Sequence, residues 1–212
     1  MEIITVLIAD DHVIFRKGLR AVLNEIPTLK VTAEATNGHE VLEEMKQLQA
    51  DVILMDIKMP VMDGIETTKK VKEKYPETQV IALTMHEEIG YFNKMIQSGA
   101  MGFLLKRTGK KQLADAIENV YAGGTYFSEE FIMNETEHGL NRKTKSQVKL
   151  SEREKQVLKL ICQGNSNAEI AKYLGLSQRT IDGHRSRLFD KTGAKNAPNL
   201  VLFAMKNNLI EI

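Results

Sequence analysis

The chain has a single cysteine and no long apolar run, and each shortage excludes a class of protein. Cys162 has no partner for an intramolecular disulfide and lies in an apolar helical run, so we expect a small buried side chain and no redox chemistry. No segment approaches the roughly 20 apolar residues that a membrane span needs, and no basic stretch precedes the apolar run at 3–9. We therefore expect a cytoplasmic protein without membrane contact.

The net charge of +1 hides an uneven distribution along the chain. Lys and Arg number 15 against 18 acidic residues in 1–125, but 10 against 6 in 151–212. The C-terminal end is therefore the part that could meet an anionic polymer such as nucleic acid. An excess of four charges is too small to identify the partner, so the motifs must decide.

The first 125 residues have the pattern of an α/β domain. Residues 3–122 alternate short apolar runs with amphipathic segments five times, which is typical of a doubly wound parallel sheet. The predicted strands are 3–9, 29–35, 52–56, 79–84 and 102–105, and the predicted helices are 12–25, 39–49, 64–74, 88–98 and 110–122. At 212 residues, the chain has room for a second, smaller domain.

The periodicity fades after Tyr126, which indicates a linker over 126–147 with one short helix near 128–133. A capping box, Ser151-x-x-Glu154, then precedes a new apolar series. It predicts an all-α domain over 148–212. The helices of that domain are predicted at 152–163, 167–174, 177–191 and 198–207.

Charged and polar residues follow the ends of four predicted strands of the first domain. Asp10 and Asp11 follow the first strand, Asp56 ends the third, Thr84 ends the fourth and Lys106 follows the fifth. Because ligands of open parallel sheets bind outside the carboxyl ends of the strands, we expect these side chains to converge on one site.

This set of residues suits phosphoryl chemistry. Carboxylate oxygens at this density are typical ligands of Mg²⁺, which also bridges to phosphate oxygens. A carboxylate beside such an ion, here Asp56, can attack a phosphoryl donor and form an acyl phosphate. Lys106 would neutralise charge on the transferring group, and Thr84 could bind a phosphoryl oxygen.

Each residue also has a simpler explanation when taken alone. Asp10 or Asp11 could cap the following helix, and Asp56 could begin a turn toward Pro60. Lys106 could be an ordinary solvated charge. Their joint placement at the ends of these strands favours a shared site.

Residues 1–125 resemble a response-regulator receiver domain. The resemblance rests on Asp10-Asp11, Asp56-Ile57-Lys58-Met59-Pro60, Gly64, Thr84 and Phe103-Leu104-Leu105-Lys106, all in family order. It implies a flavodoxin-like, five-stranded sheet of order 2-1-3-4-5. It also implies that Asp56 is the phosphoacceptor, with a histidine kinase as the donor.

The resemblance further implies the roles of the neighbouring residues. Asp11 and Asp56 would bind Mg²⁺ together with the main-chain carbonyl of Lys58, and Asp10 would assist through water. Thr84 and Phe103 would form the switch pair.

Two positions depart from the family pattern. Met85 is bulky where the family usually has a small residue beside the phosphoryl site. Arg107 stands where a proline often follows the lysine, and a non-proline cis peptide there would cost about 3 kcal/mol.

The second domain contains a helix-turn-helix pattern. Residues 167–174 predict a helix, Gly175-Leu176 a tight turn and Ser177 the N-cap of a second helix. That second helix places Ile181 and Leu188 on its apolar face. Its other face is basic and carries Arg179, His184, Arg185 and Arg187. On charge alone, a small helical bundle with a solvated basic face explains the same pattern.

Residues 148–212 resemble the four-helix LuxR-type DNA-binding domain. The shared residues are Ser151-x-Arg153-Glu154, Val157-Leu158, Gly164, Asn167-x-Glu169-Ile170-Ala171, Leu174, Ser177 and Thr180-Ile181-x-x-His184. A receiver followed by this module is the layout of the NarL/FixJ subfamily. The resemblance implies a transcription regulator that binds double-stranded DNA as a homodimer, with RNA polymerase as a further candidate partner. The candidate DNA-binding residues are Arg179, Thr180, Asp182, Gly183, His184, Arg185 and Arg187.

By this resemblance, Asp182 and Gly183 lie near base edges. Asp182 could accept a hydrogen bond from a cytosine amino group, or it could orient Arg185 or Arg179. Gly183 inside a helix costs roughly 1 kcal/mol relative to Ala, which indicates close approach to DNA or to another helix. The sequence leaves these alternatives open.

Two other functions compete with a phosphorylation-controlled regulator. A phosphatase of the haloacid dehalogenase type needs an acid two residues after the nucleophile, where Lys58 stands, so we do not expect a turnover enzyme. A regulator with a vestigial pocket would act without phosphorylation. The complete set of Asp10, Asp11, Asp56, Thr84 and Lys106 argues against it.

Overall fold

The protein is described from a computed structural model that covers residues 3–85, 89–128, 148–207 and 209. The short helix that the sequence predicts near 128–133 lies outside these residues from position 129 onward.

The N-terminal domain is a parallel sheet with helices on both faces. In the described residues its strands are β1 (Ile4–Ala9), β2 (Leu29–Ala35), β3 (Val52–Asp56), β4 (Gln79–Thr84), β5 (Gly102–Leu105) and β6 (Tyr126–Phe127). The strand order is β2-β1-β3-β4-β5-β6, and all neighbours are parallel. The helices are α1 (Val13–Asn24), α2 (Gly38–Gln47), α3 (Gly64–Lys74), α4 (Ile89–Ser98) and α5 (Lys110–Tyr121). The α/β fold predicted from the sequence is confirmed.

The central strands carry apolar side chains on both faces of the sheet, and helices cover both faces. Leu7 of β1 and Ile53 of β3 belong to one apolar core, which α2, α3 and α4 close. Ile8 and Leu54, one residue further along each strand, belong to the opposite core, which α1 and α5 close. Because successive strand residues point to opposite faces, β3 is buried at every position.

The sixth strand corrects the prediction of five strands. Tyr126 and Phe127 pair in parallel with Gly102 and Phe103 of β5, so the sheet reaches past position 125 into the predicted linker. Two residues are too few to show an alternating pattern, so this strand could not be predicted from the sequence. The strand is held by tertiary contacts, since the Phe127 ring packs edge-on against Phe92 at 5.5 Å between centroids.

The C-terminal domain is helical, as predicted. Its helices in the described residues are α6 (Glu152–Cys162), α7 (Asn167–Leu174), α8 (Gln178–Thr192) and α9 (Ala197–Lys206). Ser151 and Ser166 each form a capping box with the glutamate three residues later, and Gly175 ends α7 in the left-handed conformation with φ 64°. Cys162 is buried here, and burial raises the pKa of its thiol to about 12, so it behaves as a small apolar side chain.

Among the described residues, the two domains contact each other around Thr125 and Phe127 and along α9. The Thr125 hydroxyl donates a hydrogen bond to the Ile161 carbonyl at 3.5 Å, beside a close approach of Gly164 to the Thr125 backbone. Leu202 of α9 is buried in the core of the first domain that contains Phe92 of α4. The last helix of the second domain is therefore docked on α4 of the first.

None of the described helices combines the length and the apolar composition that crossing a membrane requires.

The close approach of α3 to β3 gives a test of this packing. A Cβ added at Gly64 would lie 2.0 Å from the Asp56 carbonyl oxygen, whereas one added at Gly18 in α1 would meet nothing within 4 Å. We expect Gly64→Ala to lower the free energy of unfolding by about 1–3 kcal/mol through overpacking. Gly18→Ala should raise it by about 0.5–1 kcal/mol. Urea denaturation measures both, and a Gly64→Ala protein as stable as Gly18→Ala would contradict this packing.

Candidate phosphoacceptor pocket and DNA-reading helix

Three carboxylates meet at the carboxyl edge of the sheet. The ends of β1 and β3 are neighbours there, so Asp10 and Asp11 come close to Asp56. Ligand atoms of these three residues and of His12 all lie within 4.8 Å of one another. Asp10 and Asp56 are buried, whereas Asp11 and His12 face the solvent. The pocket thus has a buried acidic floor and a polar mouth.

A buried ammonium group holds the two inner carboxylates. Lys106 Nζ lies 2.6 Å from Asp10 Oδ2 and 2.9 Å from Asp56 Oδ2, with only 4% of the lysine side chain exposed. The backbone N–H of Lys106 donates to the Thr84 carbonyl at 2.8 Å, which joins the ends of β4 and β5. One ammonium against three carboxylates leaves the pocket with excess negative charge.

The environment of Asp56 disfavours the ionised form of its carboxyl group. Burial raises the pKa of Asp56 above its usual range, and the hydrogen bond and charge of Lys106 offset only part of this effect. The backbone N–H of Ile57 also donates to Asp56 Oδ1 at 2.8 Å. A cation near Asp56 would therefore stabilise its ionised form. Carboxylate oxygens in this number fit a hard divalent ion, so the cluster could hold one.

His12 is a site residue that the sequence analysis missed. Its Nδ1 lies 3.1 Å from Asp10 Oδ1 and 2.9 Å from Asp11 Oδ1, and its backbone N–H donates to Asp10 Oδ1 at 2.8 Å. His12 is also the N-cap residue of α1, without a side-chain cap. The alternative that Asp10 or Asp11 only caps this helix is therefore wrong. Adjacency to the Asp pair was the one signal that could have identified His12.

Phe15 and Arg16 of α1 contact residues of the pocket, and the sequence analysis missed both. Arg16 is buried, and its Nη1 donates to the Asp10 carbonyl at 2.6 Å. Its Nε lies 3.5 Å from a carboxylate oxygen of Glu34 on β2. The Phe15 ring lies under Lys106, with the ammonium 5.0 Å from the ring centroid.

The predicted switch residues lie at the adjoining strand ends. Thr84 is buried at the end of β4. Phe103 of β5 is fully buried and packs edge-on against Phe92 at 5.1 Å, so its ring occupies an inward position. Lys58 is exposed in the loop after β3, and its ammonium lies 5.0 Å from the Tyr91 ring centroid.

The two departures from the family pattern have simple structural outcomes. The Met85 residue is 67% exposed, so much of its bulk faces the solvent. No cis peptide bond occurs in the described residues, and Arg107 therefore follows Lys106 through a trans peptide.

Helices α7 and α8 form the predicted helix-turn-helix. On α8, Ile181 and Leu188 are buried in the core of the second domain. Of the candidate DNA-binding residues, Arg179, Thr180, Asp182, Gly183 and Arg187 are exposed, while His184 and Arg185 are half-buried. Within the described residues, the N-terminal domain does not cover this exposed face. Burial and the charge of Arg187 lower the pKa of His184.

Asp182 and Arg185 are joined through Asn167 of α7. The Asn167 side-chain N–H donates to Asp182 Oδ1 at 2.6 Å, and Arg185 donates to the Asn167 side-chain oxygen. The Arg185 guanidinium also lies 5.9 Å from the Phe189 ring centroid. Asp182 therefore meets Arg185 through an intermediate amide.

Gly183 leaves open space on α8. A Cβ added there would have one neighbour near 4.0 Å, the Arg187 guanidinium. Among the described residues, no other helix packs against Gly183. Whether this open space receives DNA or another helix stays a prediction.

Two family models match the chain, one for each domain. Residues 6–118 match the response regulator receiver domain, and residues 148–204 match the bacterial regulatory proteins of the luxR family. The oxygen regulatory protein NreC of Staphylococcus aureus (strain MRSA252) is 35% identical over 215 residues, covering 97% of this chain and 99% of NreC.

Solved structures agree with these matches. The response regulator ChrA of a heme-sensing two-component system is 29% identical, with a TM-score of 0.57 over 99% of this chain and 100% of that chain. A structure of two RcsB dimers bound to two parallel DNAs has 28% identity and a TM-score of 0.58, over 95% of this chain and 98% of that chain. With its receiver and its LuxR-type DNA-binding domain, the chain belongs to the NarL/LuxR family of two-component response regulators.

Proposed function

We propose that a histidine kinase phosphorylates Asp56 of this regulator and that phosphorylation controls its dimerisation and its binding to promoter DNA. The observation that carries the proposal is the buried ammonium of Lys106 between Asp10 and Asp56. Family members are generally not turnover enzymes, and here the phosphoryl group serves as a signal.

The chain's own groups divide the chemistry between them. An Asp56 oxygen attacks the phosphorus atom of the donor, an O–P bond forms, and the bond between phosphorus and the donor breaks. Lys106 neutralises charge on the phosphoryl oxygens, and the Thr84 hydroxyl donates a hydrogen bond to one of them.

Mg²⁺ is the proposed cofactor. Asp11, Asp56 and the Lys58 carbonyl would hold it, with Asp10 assisting through water. When bound, Mg²⁺ supplies positive charge beside the phosphoryl oxygens and the attacking carboxylate. The acidic excess of the pocket and the raised pKa of Asp56 support a cation at this place.

Packed side chains connect the proposed phosphorylation site with the second domain. Phosphorylation draws Thr84 toward the phosphoryl oxygens and moves the end of β4 against the paired strand β5, whose Phe103 ring is already in its inward position. Phe103 packs on Phe92, and Phe92 packs on Phe127 of β6. Leu202 of α9 lies in the same core as Phe92. A shift at this contact changes the docking of the DNA-binding domain, whose attachment is worth only a few kcal/mol.

On DNA, the active species is a homodimer. A helix-turn-helix monomer covers one half-site, and paired half-sites match two-fold symmetry. RcsB, a structural relative, has been solved as dimers on DNA. The exposed Arg179 and Arg187 of α8 are the proposed phosphate contacts.

We expect acetyl phosphate with Mg²⁺ to add one phosphoryl group to the wild-type protein, because nucleophile, cation ligands and ammonium are together. Intact-mass spectrometry measures the addition. Asp56→Asn should stay unlabelled, and a chelator should prevent labelling of the wild type. Labelling that survives either change would contradict the assignment of Asp56 and of the metal.

We expect Arg179→Ala and Arg187→Ala each to weaken binding to all DNA sequences alike and to lower the salt slope of the affinity by about one unit. Arg185→Ala is the contrasting variant. Its guanidinium is bound to Asn167, so the salt slope should stay unchanged. Affinity titrations over a series of salt concentrations measure the slopes. An Arg185→Ala slope that falls as much as that of Arg187→Ala would contradict this division.

We expect unphosphorylated full-length protein to bind DNA about 5–150-fold more weakly than the phosphorylated form, the range of typical coupling energies. A fragment of residues 148–212 should bind independently of phosphodonor, because it lacks the receiver. Titrations of all three on one DNA at one salt concentration decide this. Equal affinity of both full-length forms, with Asp56→Asn unchanged, would favour a vestigial pocket.

A further inference from the structure

A polar bridge at the helix-turn-helix has a defined direction. Asn167 is the first residue of α7, and its side-chain amide lies between Asp182 and Arg185 of α8. A guanidinium only donates hydrogen bonds, and an ionised carboxylate only accepts them. The amide oxygen must therefore face Arg185 and the amide nitrogen must face Asp182. Asn167 cannot be turned over without breaking both bonds.

The Arg185 end of the bridge is anchored in the domain. Arg185 is half-buried, and its guanidinium lies over the Phe189 ring. A guanidinium held on one side by an aromatic face and on the other by an amide has little freedom to reach toward a phosphate. Arg185 therefore fixes Asn167, and Asn167 in turn fixes Asp182.

The Asp182 end of the bridge faces the solvent beside the open backbone of Gly183. Oδ1 is occupied by the Asn167 amide, and no hydrogen bond to Oδ2 occurs within the described part of the chain. A carboxylate oxygen in the major groove is repelled by the phosphates and by the acceptor atoms of guanine and thymine. It is matched best by the amino group of cytosine, which is a donor there.

We propose that Asn167 is a specificity-determining residue that positions Asp182, so that the second carboxylate oxygen of Asp182 selects cytosine at one position of the site. The inference rests on the proposed DNA-binding function. Asn167 acts through Asp182, since fixing the carboxylate in one orientation removes the rotamer freedom that would let it turn away from the base.

The proposal is tested on full-length phosphorylated protein by selection from a randomised DNA library. We expect wild type to prefer cytosine at one position by about 5–150-fold, the usual worth of a good base contact. Asp182→Ala should remove this preference. Asn167→Ala should reduce it by about 2-fold or more, and the double variant should match Asp182→Ala, because the two residues act as one unit.

Asp182→Asn is a second variant. It keeps the fold and replaces one acceptor oxygen of the carboxylate with an NH2 donor. Its side-chain oxygen accepts from the Asn167 amide, so the group that replaces Oδ2 is an NH2 donor. We expect the preference for cytosine to be lost and replaced by a preference for a base that presents acceptors in the major groove, such as guanine. Asn165→Ala is the matched control, since the Asn165 amide donates to the Leu160 carbonyl at 3.0 Å in the preceding turn, and it should leave the base preference unchanged.

Two results would overturn the proposal. In one, Asn167→Ala lowers the affinity for every sequence alike and leaves the cytosine preference intact, as expected of a purely structural bond. In the other, Asp182→Asn leaves the preferred base unchanged. If wild type enriches no sequence at all, the DNA-binding function itself fails, and this outcome is distinct from the other two.

Discussion

The receiver depends on one buried interaction, the contact of the Lys106 ammonium with Asp10 and Asp56. Burying these charges is costly, and removing one partner of such a cluster typically costs about 3–5 kcal/mol. The fold holds them because they stand at the carboxyl ends of β1, β3 and β5, where backbone N–H groups of Ile57 and His12 also donate to the carboxylates. The proposed cation and phosphoryl group would act on the negative charge that remains in this arrangement.

The charge cluster is connected to the DNA-binding domain through packed aromatic rings. Lys106 follows β5, which carries Phe103, and the ring of Phe103 contacts Phe92 of α4. Phe92 shares its core with Leu202 of α9. Because the exposed face of α8 is not covered by the receiver in this arrangement, the contact available for regulation is the docking of the last helix. A change at the strand ends can therefore alter how the second domain is held without contacting the candidate DNA-binding residues of α8.

Much of this architecture could be predicted from the sequence, because alternation, amphipathic periodicity and caps are local signals. The five strands, the capping box at Ser151 and the convergence of strand-end residues all follow from such signals. The contacts that were missed are set by tertiary packing. The β6 pairing and the Asn167 bridge join residues that are distant in sequence, and no spacing rule brings them together. Arg16 was likewise missed because a basic residue on an amphipathic helix gives no sign that its guanidinium meets a backbone carbonyl.

The proposed function couples charge at Asp56 to the docking of α9. Hydrogen–deuterium exchange of the amides in 197–206, followed with and without acetyl phosphate and Mg²⁺, measures this coupling directly in the full-length protein. We expect faster exchange in the phosphorylated wild type and no change in Asp56→Asn. Identical exchange of this helix in phosphorylated and unphosphorylated wild type would contradict it.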